Sequence, residues 1–368
     1  MRTVRRLFYA DIVSAIAFVA AAFLSLFFFI DFVDELGDIG PRGYTALNAA
    51  AYSLLLLPGH FYELVPIAVL IGAIYAFSRL AQTSQYTILR TGGLGPWRAL
   101  WLLTSLGLMF ALLTWVVGDY VAPRSERYAS ELQAMRKGSV KLGRSGAWLK
   151  DHAATPEGER SYFVNVGSAE GGSVLHDVRI FEFDAEGRLL RRILAAGADV
   201  AKDSSWTLRE VAITRWLEGV DGASAPDQKL AEYVWPSTLS AAVVAAAVLP
   251  VSTMSTVELY RYIGHLSQNE QAAQSQQIQF WKRAFYPFAC LVMIGLALPF
   301  AYLSSRAGGV SLKVFGGIML GISFVLLNNV AGHLGLLRDW TPWIVALAPS
   351  GLYMLLSFAA FSWLVRYR

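Results

Sequence analysis

Histidine and cysteine are the side chains best suited to hold a metal ion or to act as a nucleophile in this sequence. The chain has one cysteine, Cys290, inside an apolar run, and five histidines that show no metal-ligand spacing. The histidines are His60, His152, His176, His265 and His333. Intramolecular disulfides and cysteine-based zinc sites are therefore excluded, and no metal site is predicted.

Three motifs that mark common hydrolytic enzymes are also absent. The sequence contains no G-x-x-x-x-G-K-[ST] phosphate loop, no H-E-x-x-H and no G-x-S-x-G. Without the phosphate loop, no backbone cradle for nucleotide phosphates is expected. We therefore predict no catalytic residue and no nucleotide hydrolysis by this chain alone.

The composition is that of a membrane protein. Charged residues make up 16% of the chain and apolar residues 55%, whereas soluble domains usually carry about 25% charged residues. Six segments are long and apolar enough to cross a bilayer as helices. They are roughly residues Ala10–Ile30, Leu64–Leu80, Trp97–Val121, Ala284–Leu303, Lys313–His333 and Trp343–Val365.

Two apolar stretches could be misassigned, the first segment as a signal peptide and Leu239–Val251 as a span. The first segment is too long for a signal-peptide core, and no small-residue cleavage site follows it, so we interpret it as a retained helix. Leu239–Val251 lies between Pro236 and Pro250 and is too short to span a bilayer. Counting it as a span would invert every later loop.

Basic residues fall on one side of this six-span arrangement. The N-terminus, the 81–98 loop, the loop after span four and the C-terminus are all basic, whereas the loop after span one is acidic. The basic residues include Arg2, Arg5, Arg6, Arg90, Arg98, Arg306, Lys313, Arg366 and Arg368. The positive-inside rule places both termini in the cytoplasm.

The long insertion between spans three and four has the composition of a soluble domain. Short strand patterns occur at SYFVNV (161–166), VRIFEF (178–183) and RLLRRIL (188–194), with a turn at Gly187. They predict a small β-sandwich or jelly roll on the outer side. After it, Ser255 followed by Glu258 three residues later predicts a capped helix over residues 252–268.

Few polar residues lie within the predicted spans. Asp11 and Asp119 fall near span ends, where an interfacial position is expected, and His60 and His333 are interpreted as interfacial rather than as ligands. Asn328 and Asn329 lie inside span five and either pack between helices or line an aqueous cavity. In the same span, Gly317-x-x-x-Gly321 permits close helix approach.

The order of these parts resembles the transmembrane permeases of the lipopolysaccharide exporter, and within them the G-type subunit. The resemblance covers nearly all 368 residues. Its residues are FVDEL (32–36), LPGHFYELVPIAVLIG (57–72), RLAQTSQYTILRTGG (79–93), DYVAP (119–123), MSTVELYRYIGHL (254–266), WKRAFYPFACLVMIGLALPF (281–300) and GGIMLGISF (316–324).

The resemblance implies a type V/VI-like ABC exporter permease in a Gram-negative inner membrane, with six transmembrane helices and an inserted periplasmic β-jelly-roll. The expected partners are a homologous F-type permease, a homodimeric cytoplasmic ATPase and a single-span periplasmic jelly-roll regulator. The chain itself is expected to bind no cofactor, with ATP and Mg²⁺ held by the ATPase. Lipopolysaccharide is extracted from the inner membrane and passed to a periplasmic bridge, and no nucleic acid is involved.

This organisation predicts four regions. Spans one to three occupy 1–121 and include a cytoplasmic coupling helix at 78–92. The β-jelly-roll occupies 122–251, a periplasmic helix and connector occupy 252–281, and spans four to six occupy 282–368.

The polar 81–98 loop is predicted to dock on the ATPase. The expected contacts are Ser84, Gln85, Tyr86, Leu89 and Arg90. The alternative is a solvated loop whose arginines only set topology. Gln85 stands where relatives usually carry an acid, so the charge-assisted part of that contact is lost.

Two groups of residues are predicted to contact the lipid. The acyl chains are expected against Phe23, Phe27 and Ile30 of span one and Phe315, Met319 and Ile322 of span five. The anionic head group is expected near Arg42, Arg124, Arg127, Arg136 and Lys137. The alternatives are ordinary bilayer contact for the first group and solvated surface charge for the second.

Two other functional classes stay open. One is a non-transporting membrane scaffold or adaptor with a periplasmic β-domain, which co-purification with an ATPase would count against. The other is a lipid-modifying enzyme, which requires a cluster of acids, histidines or serines at one membrane face that the sequence does not contain.

Overall fold

The computed structural model describes residues 2–37, 39, 44–83, 96–137, 140–141, 147–155, 158–170, 174–201, 205–216, 227–237, 239, 244, 253–268, 273–302 and 309–366. These residues form two compact units. The first comprises Met1–Glu35, Ser53–Ser125 and Gln274–Arg368, and the second Leu36–Tyr52 and Glu126–Ala273.

Long apolar helices build the first unit. The helices of the chain are α1 (Arg2–Leu36), α2 (Ala46–Gln82), α3 (Pro96–Val116), α4 (Ala122–Lys137), α5 (Thr256–Gln268), α6 (Gln274–Phe285), α7 (Phe288–Tyr302), α8 (Val310–Leu337) and α9 (Pro342–Arg366), with a π-helical turn at Val117–Val121 between α3 and α4.

Among the described residues, five helices are long and apolar enough to cross a membrane, or six if one bent pair forms a single span. That pair is α6 with α7, which are bent by 52°. The bend follows from the Tyr286-Pro287 turn, because proline cannot donate the next helical hydrogen bond. The six predicted spans are thus accounted for, with the fourth broken near its start.

Helix α2 begins earlier than the sequence predicted. It starts at Ala46 rather than near Leu64, and it contains Pro58 and Pro66 in its interior. In the sequence, prolines at these positions indicated a helix boundary. Membrane helices tolerate proline, however, because neighbouring groups form hydrogen bonds with the backbone carbonyls that proline leaves without a partner. The helix therefore continues through both prolines.

The second unit is built on an antiparallel sheet. Its strands are β1 (Val140–Lys141), β2 (Ala147–Thr155), β3 (Gly158–Glu170), β4 (Val174–Phe183), β5 (Leu189–Val200), β6 (Ser205–Arg215) and β7 (Gln228–Pro236). Strands β3 to β7 pair in chain order, and β1 and β2 both pair with β3. An inserted β-domain is therefore confirmed. The turn predicted at Gly187 is present, and its φ of +79° is one that glycine adopts without strain.

The sheet begins later than the predicted domain boundary at residue 122. Residues Ala122–Lys137 are helical, which suits their content of alanine, leucine, methionine, glutamate and arginine. The strands therefore start only at Val140.

A line of broken pairing crosses the sheet. Gly167, Asp177, Ala196, Glu210 and Ala231 lie opposite one another on β3 to β7, and each is skipped in the pairing of its strand. Asp177 and Glu210 have φ of +53° and +52°, the left-handed region that non-glycine residues rarely adopt. On β5 and β6 the alternation of buried residues shifts by one at this line. The partner register is the same on both sides of the line, so neither strand of a pair gains a residue there. On β5 and β6 the break therefore changes which side chains face the core without moving one strand along its neighbour.

The core of this unit is aromatic. Trp206 and Trp235 are buried and meet edge to face with ring centroids 5.4 Å apart. The indole Nε1–H of Trp206 donates to the carbonyl oxygen of Leu239 at 3.0 Å. Leu239 and Val244, which belong to the apolar stretch rejected as a span, are buried in the same core. Their burial accounts for the apolar character of these two positions.

Candidate functional site

Helix α2 is the central support of the first unit. Three glycines let its neighbours approach closely: a Cβ added at Gly72 would lie 2.6 Å from Cα of Ile16 on α1. A Cβ at Gly317 or Gly321 of α8 would lie 2.7 Å from Ile74 or 2.8 Å from Ile67 of α2. Small residues of this kind let membrane helices pack backbone to backbone. α1 and α8 are therefore both held against α2.

This packing leaves apolar faces of α1 and α8 uncovered by the chain. The predicted acyl-chain residues lie on those helices: Ile30, Phe315, Met319 and Ile322 are exposed, and Phe23 and Phe27 are half-buried. The buried side of α8 is instead formed by Gly317, Gly321 and Phe324. The six residues thus lie where bilayer, partner or ligand can reach them. Contact with the lipid cargo stays a prediction.

A polar pair joins the C-terminal part of α1 to the interior of α2. Nε2 of His60 lies 2.7 Å from Oδ2 of Asp31, and the His60 ring stacks on Phe27 with centroids 4.7 Å apart. Both polar side chains are mostly buried. Sequence reasoning placed Asp31 in an acidic loop, whereas α1 continues to Leu36 and includes it. The pair was missed because its members are 29 residues apart.

A lysine that sequence reasoning did not single out reaches into α8. Nζ of Lys282 donates to the backbone carbonyl of Asn328 at 2.9 Å, and the space it fills exists because residue 332 is glycine. The Asn328 side chain donates to the carbonyl of Phe324 within its own helix at 3.1 Å. The His333 ring similarly approaches the carbonyl oxygen of Asn329 at 2.9 Å. The side chains of Lys282, Asn328 and His333 therefore all contact backbone carbonyl oxygens of α8.

The Tyr62 side chain lies between two irregular segments of other elements, the π-helical turn and the turn at Tyr286. The Tyr62 ring occupies the place that a side chain at Gly118 would need, inside the π-helical turn. On its other side, Tyr62 lies 4.9 Å from the ring of Tyr286, whose hydroxyl donates to the carbonyl of Glu63. Single π-turns are frequent at functional sites. Tyr62 therefore packs against both elements that lead along the chain to the β-domain.

The predicted head-group arginines differ in their surroundings. Arg124 is exposed and lies 6.0 Å from the ring centroid of Tyr120. Arg127 instead donates to the Thr253 carbonyl at 3.1 Å and forms an ion pair with Glu258. It therefore holds α4 against the start of α5. Arg42 and the side chains of Arg136 and Lys137 lie outside the described residues.

Glu258 also caps α5. Its carboxylate accepts from the Ser255 backbone N–H at 2.8 Å, and its own N–H donates to Oγ of Ser255 at 3.3 Å. The capping box is thus confirmed. Burial raises the pKa of this carboxyl, but the Ser255 and Arg127 hydrogen bonds outweigh burial and leave the pKa below its usual value.

The predicted ATPase contacts Ser84, Gln85, Tyr86, Leu89 and Arg90 lie outside the described residues. Only the beginning of the predicted coupling helix is described. There, residues 78–82 are the last turn of α2 rather than the start of a separate helix. Within the described part of the chain, no group of three or more histidine, cysteine, aspartate or glutamate residues could hold a metal ion.

The sequence matches the family model described as lipopolysaccharide export system permease LptF/LptG over residues 6–364. The chain is also similar to the lipopolysaccharide export system permease protein LptG of Escherichia coli (strain K12), at 28% identity over 337 residues and 91% of each chain. The LptG protein of Haemophilus influenzae (strain ATCC 51907 / DSM 11121 / KW20 / Rd) is 25% identical over 359 residues and 97% of each chain. Because the family model spans nearly the whole chain and both relatives are LptG proteins, the chain belongs to the LptF/LptG family and is a G-type permease of the lipopolysaccharide export system.

Proposed function

We propose that this permease extracts lipopolysaccharide from the inner membrane between the uncovered faces of α1 and α8 and the matching helices of an F-type permease. The observation that supports this path is that α2 is mostly buried within the chain, whereas α1 and α8 keep large apolar side chains exposed. A lipid with several acyl chains suits such faces, because burial stabilises in proportion to apolar area.

The β-domain would receive the lipid and pass it to a periplasmic bridge. Its attachment supports this role, since the domain lies between α4 and α5 and is thus linked at both ends to the membrane unit. In this arrangement both termini are cytoplasmic and the domain is periplasmic, as the positive-inside distribution predicts. A single-span jelly-roll protein would regulate the transfer.

The energy would come from a separate homodimeric ATPase. The chain has no phosphate-loop motif, so ATP and Mg²⁺ would bind in that partner and this chain would hold no cofactor. The 84–90 segment, which follows α2 directly, would dock on the ATPase through Gln85, Leu89 and Arg90. Gln85 still accepts a hydrogen bond but lacks the charge of an acid.

Reconstitution with the ATPase and an F-type permease in proteoliposomes tests this proposal. We expect ATP-dependent release of lipopolysaccharide to an acceptor protein. Gln85→Ala and Leu89→Glu are expected to keep the complex folded while ATP hydrolysis no longer drives release. Full coupling together with full ATPase binding in both variants would contradict the docking assignment.

The same reconstitution separates a transporter from a scaffold. A non-transporting adaptor would form the complex but would leave lipopolysaccharide in the membrane with or without ATP. A complex that assembles fully, hydrolyses ATP and never releases lipid would therefore overturn the proposed function.

A further inference from the structure

A cavity of about 540 Å³ lies between α1, α2 and the start of α8. Its polar lining comprises Asp11 and Ser14 of α1, Tyr75 and Arg79 of α2, and Thr83 in the turn after α2. Its apolar lining includes Phe18, Val19, Ile71 and Val314. We call it the Asp11–Arg79 cleft. All of its lining residues belong to the first compact unit.

The lining of the cleft changes from polar to apolar along the helices. The close contact of Ile16 with Gly72 sets the level at which α1 and α2 meet. Asp11, Arg79 and Thr83 lie on the side of that contact nearer the N-terminus of α1 and the C-terminus of α2, whereas Phe18 and Val19 lie on the other side. A ligand that fits this gradient has a polar end toward the helix termini and an apolar end toward the bilayer centre.

The cleft contains one carboxylate, that of Asp11, and one guanidinium, that of Arg79, and these two groups do not form an ion pair with each other. Asp11 and Arg79 are both exposed, and within the described residues no ion pair joins them. Their neighbours bind backbone instead: Oγ of Ser14 donates to the Asp11 carbonyl at 3.0 Å, and Oγ1 of Thr83 donates to the Arg79 carbonyl at 3.0 Å. Both charged side chains can therefore face one ligand.

We propose that the Asp11–Arg79 cleft binds a zwitterionic phospholipid with a primary ammonium head group, from the leaflet that surrounds the N-terminal end of α1. The phosphate binds the Arg79 guanidinium, which favours anionic oxygens, and the ammonium binds the Asp11 carboxylate. The acyl chains lie along Phe18 and Val19. An anionic lipid without an ammonium group leaves Asp11 unpaired, so the cleft discriminates between head groups. On α1 this site lies nearer the N-terminus than Phe23, Phe27 and Ile30, which are proposed to contact lipopolysaccharide.

The test measures which lipids stay bound to the full-length chain. The chain, in complex with the partners that purify with it, is reconstituted in nanodiscs of equal parts phosphatidylethanolamine and phosphatidylglycerol. It is then released into mild detergent, and bound lipids are counted by native mass spectrometry. We expect phosphatidylethanolamine to be enriched about threefold over the nanodisc composition, the size of effect that one partly exposed ion pair produces.

Two variants have different expected signatures. Asp11→Asn removes the head-group preference while total bound lipid stays near the wild-type value, and Arg79→Gln lowers the number of bound lipids of both kinds. Asp34→Asn on the far end of α1 and Arg338→Gln at the end of α8 are matched controls that change neither quantity. A general loss of folding would lower binding without changing the ratio, so the Asp11→Asn result separates recognition from stability.

The proposal is overturned if Asp11→Asn retains the enrichment or if Arg79→Gln retains all bound lipid. A further arm adds water-soluble glycerophosphoethanolamine at the concentration of the lipid. It should displace no lipid, because it lacks acyl chains for the apolar half of the cleft. Efficient displacement, or a partner helix crosslinked to position 18 in place of lipid, would assign the cleft to another occupant.

Discussion

Nε2 of His60 on α2 lies 2.7 Å from Oδ2 of Asp31 on α1, and this contact joins the interior of α2 to the C-terminal part of α1. Phe27, a predicted lipid contact, stacks on the same imidazole ring. The pair therefore positions one residue of the proposed lipid-handling face.

Removal of the Asp31 carboxylate should destabilise the junction of α1 and α2. Asp31→Ala leaves the mostly buried His60 ring without its acceptor, which costs about 1–2 kcal/mol. The midpoint of thermal unfolding of the purified chain in detergent measures the effect. Asp34→Ala is the control, because Asp34 is exposed on the same helix and should change stability by less than about 0.5 kcal/mol. Equal effects in the two variants would show that the pair is not structural.

A methyl group at Gly321 should separate α8 from α2. Gly321→Ala places a Cβ 2.8 Å from Cγ2 of Ile67, and overpacking of this kind costs about 1–3 kcal/mol. Gly316→Ala is the control, since no atom lies within 4 Å of a Cβ there. A cysteine crosslink between the facing surfaces of α2 and α8 should form more slowly in Gly321→Ala only. Recovery in the double variant Gly321→Ala with Ile67→Ala would confirm the steric cause, and its absence would argue against it.

A buried acid should matter more to the β-domain than an exposed one. Glu182 is buried, accepts a hydrogen bond from Arg191 and lies 4.0 Å from Arg160. Glu182→Gln should lower the free energy of unfolding by about 2–3 kcal/mol, because it leaves partly buried arginines without their counter-charge. Asp199→Asn, which removes an exposed pair with Arg209, should cost less than about 1 kcal/mol. Proteolysis rates of the β-domain in the full chain distinguish the two, and the reverse ranking would contradict the assignment.

The start of α5 should loosen in acid. The folded-state pKa of Glu258 lies below its usual value, so its stabilising contribution is present above the unfolded-state pKa, about 4.3. That contribution is lost as the pH falls through the lower folded-state pKa. Amide exchange at residues 256–260 should therefore accelerate below about pH 4 beyond the intrinsic pH dependence. In Glu258→Gln this extra acceleration should be absent, and its persistence there would show that another group titrates.

Hydropathy and charge were sufficient to find the spans and the inserted domain. The apolar runs near Ala10, Trp97 and Lys313 predicted their helices well, because burial in lipid requires long unbroken apolar segments. The turn at Gly187 and the capping box at Ser255 were local signals, and both are confirmed. The earlier start of α2 was missed because proline is a weaker boundary in a membrane helix than in a soluble one.

Contacts between distant residues could not be read from the sequence. The His60–Asp31 pair, the Lys282 contact with α8 and the packing of Tyr62 on Gly118 each join different helices. No spacing rule connects such residues. The left-handed backbone at Asp177 and Glu210 likewise has no local signal in the sequence.

Contact of lipopolysaccharide with the exposed faces of α1 and α8 is what the proposed function depends on most. A photo-crosslinking amino acid at position 30, 315, 319 or 322 tests it in the assembled transporter, with positions 112 and 355 as controls. Leu112 and Leu355 are as apolar and as exposed, but they lie on α3 and α9. We predict lipopolysaccharide adducts on α1 and α8 that disappear when ATP drives release, and none above background at the two controls. No adduct on either helix, or equal adducts at the control positions, would show that these faces do not bind lipopolysaccharide specifically.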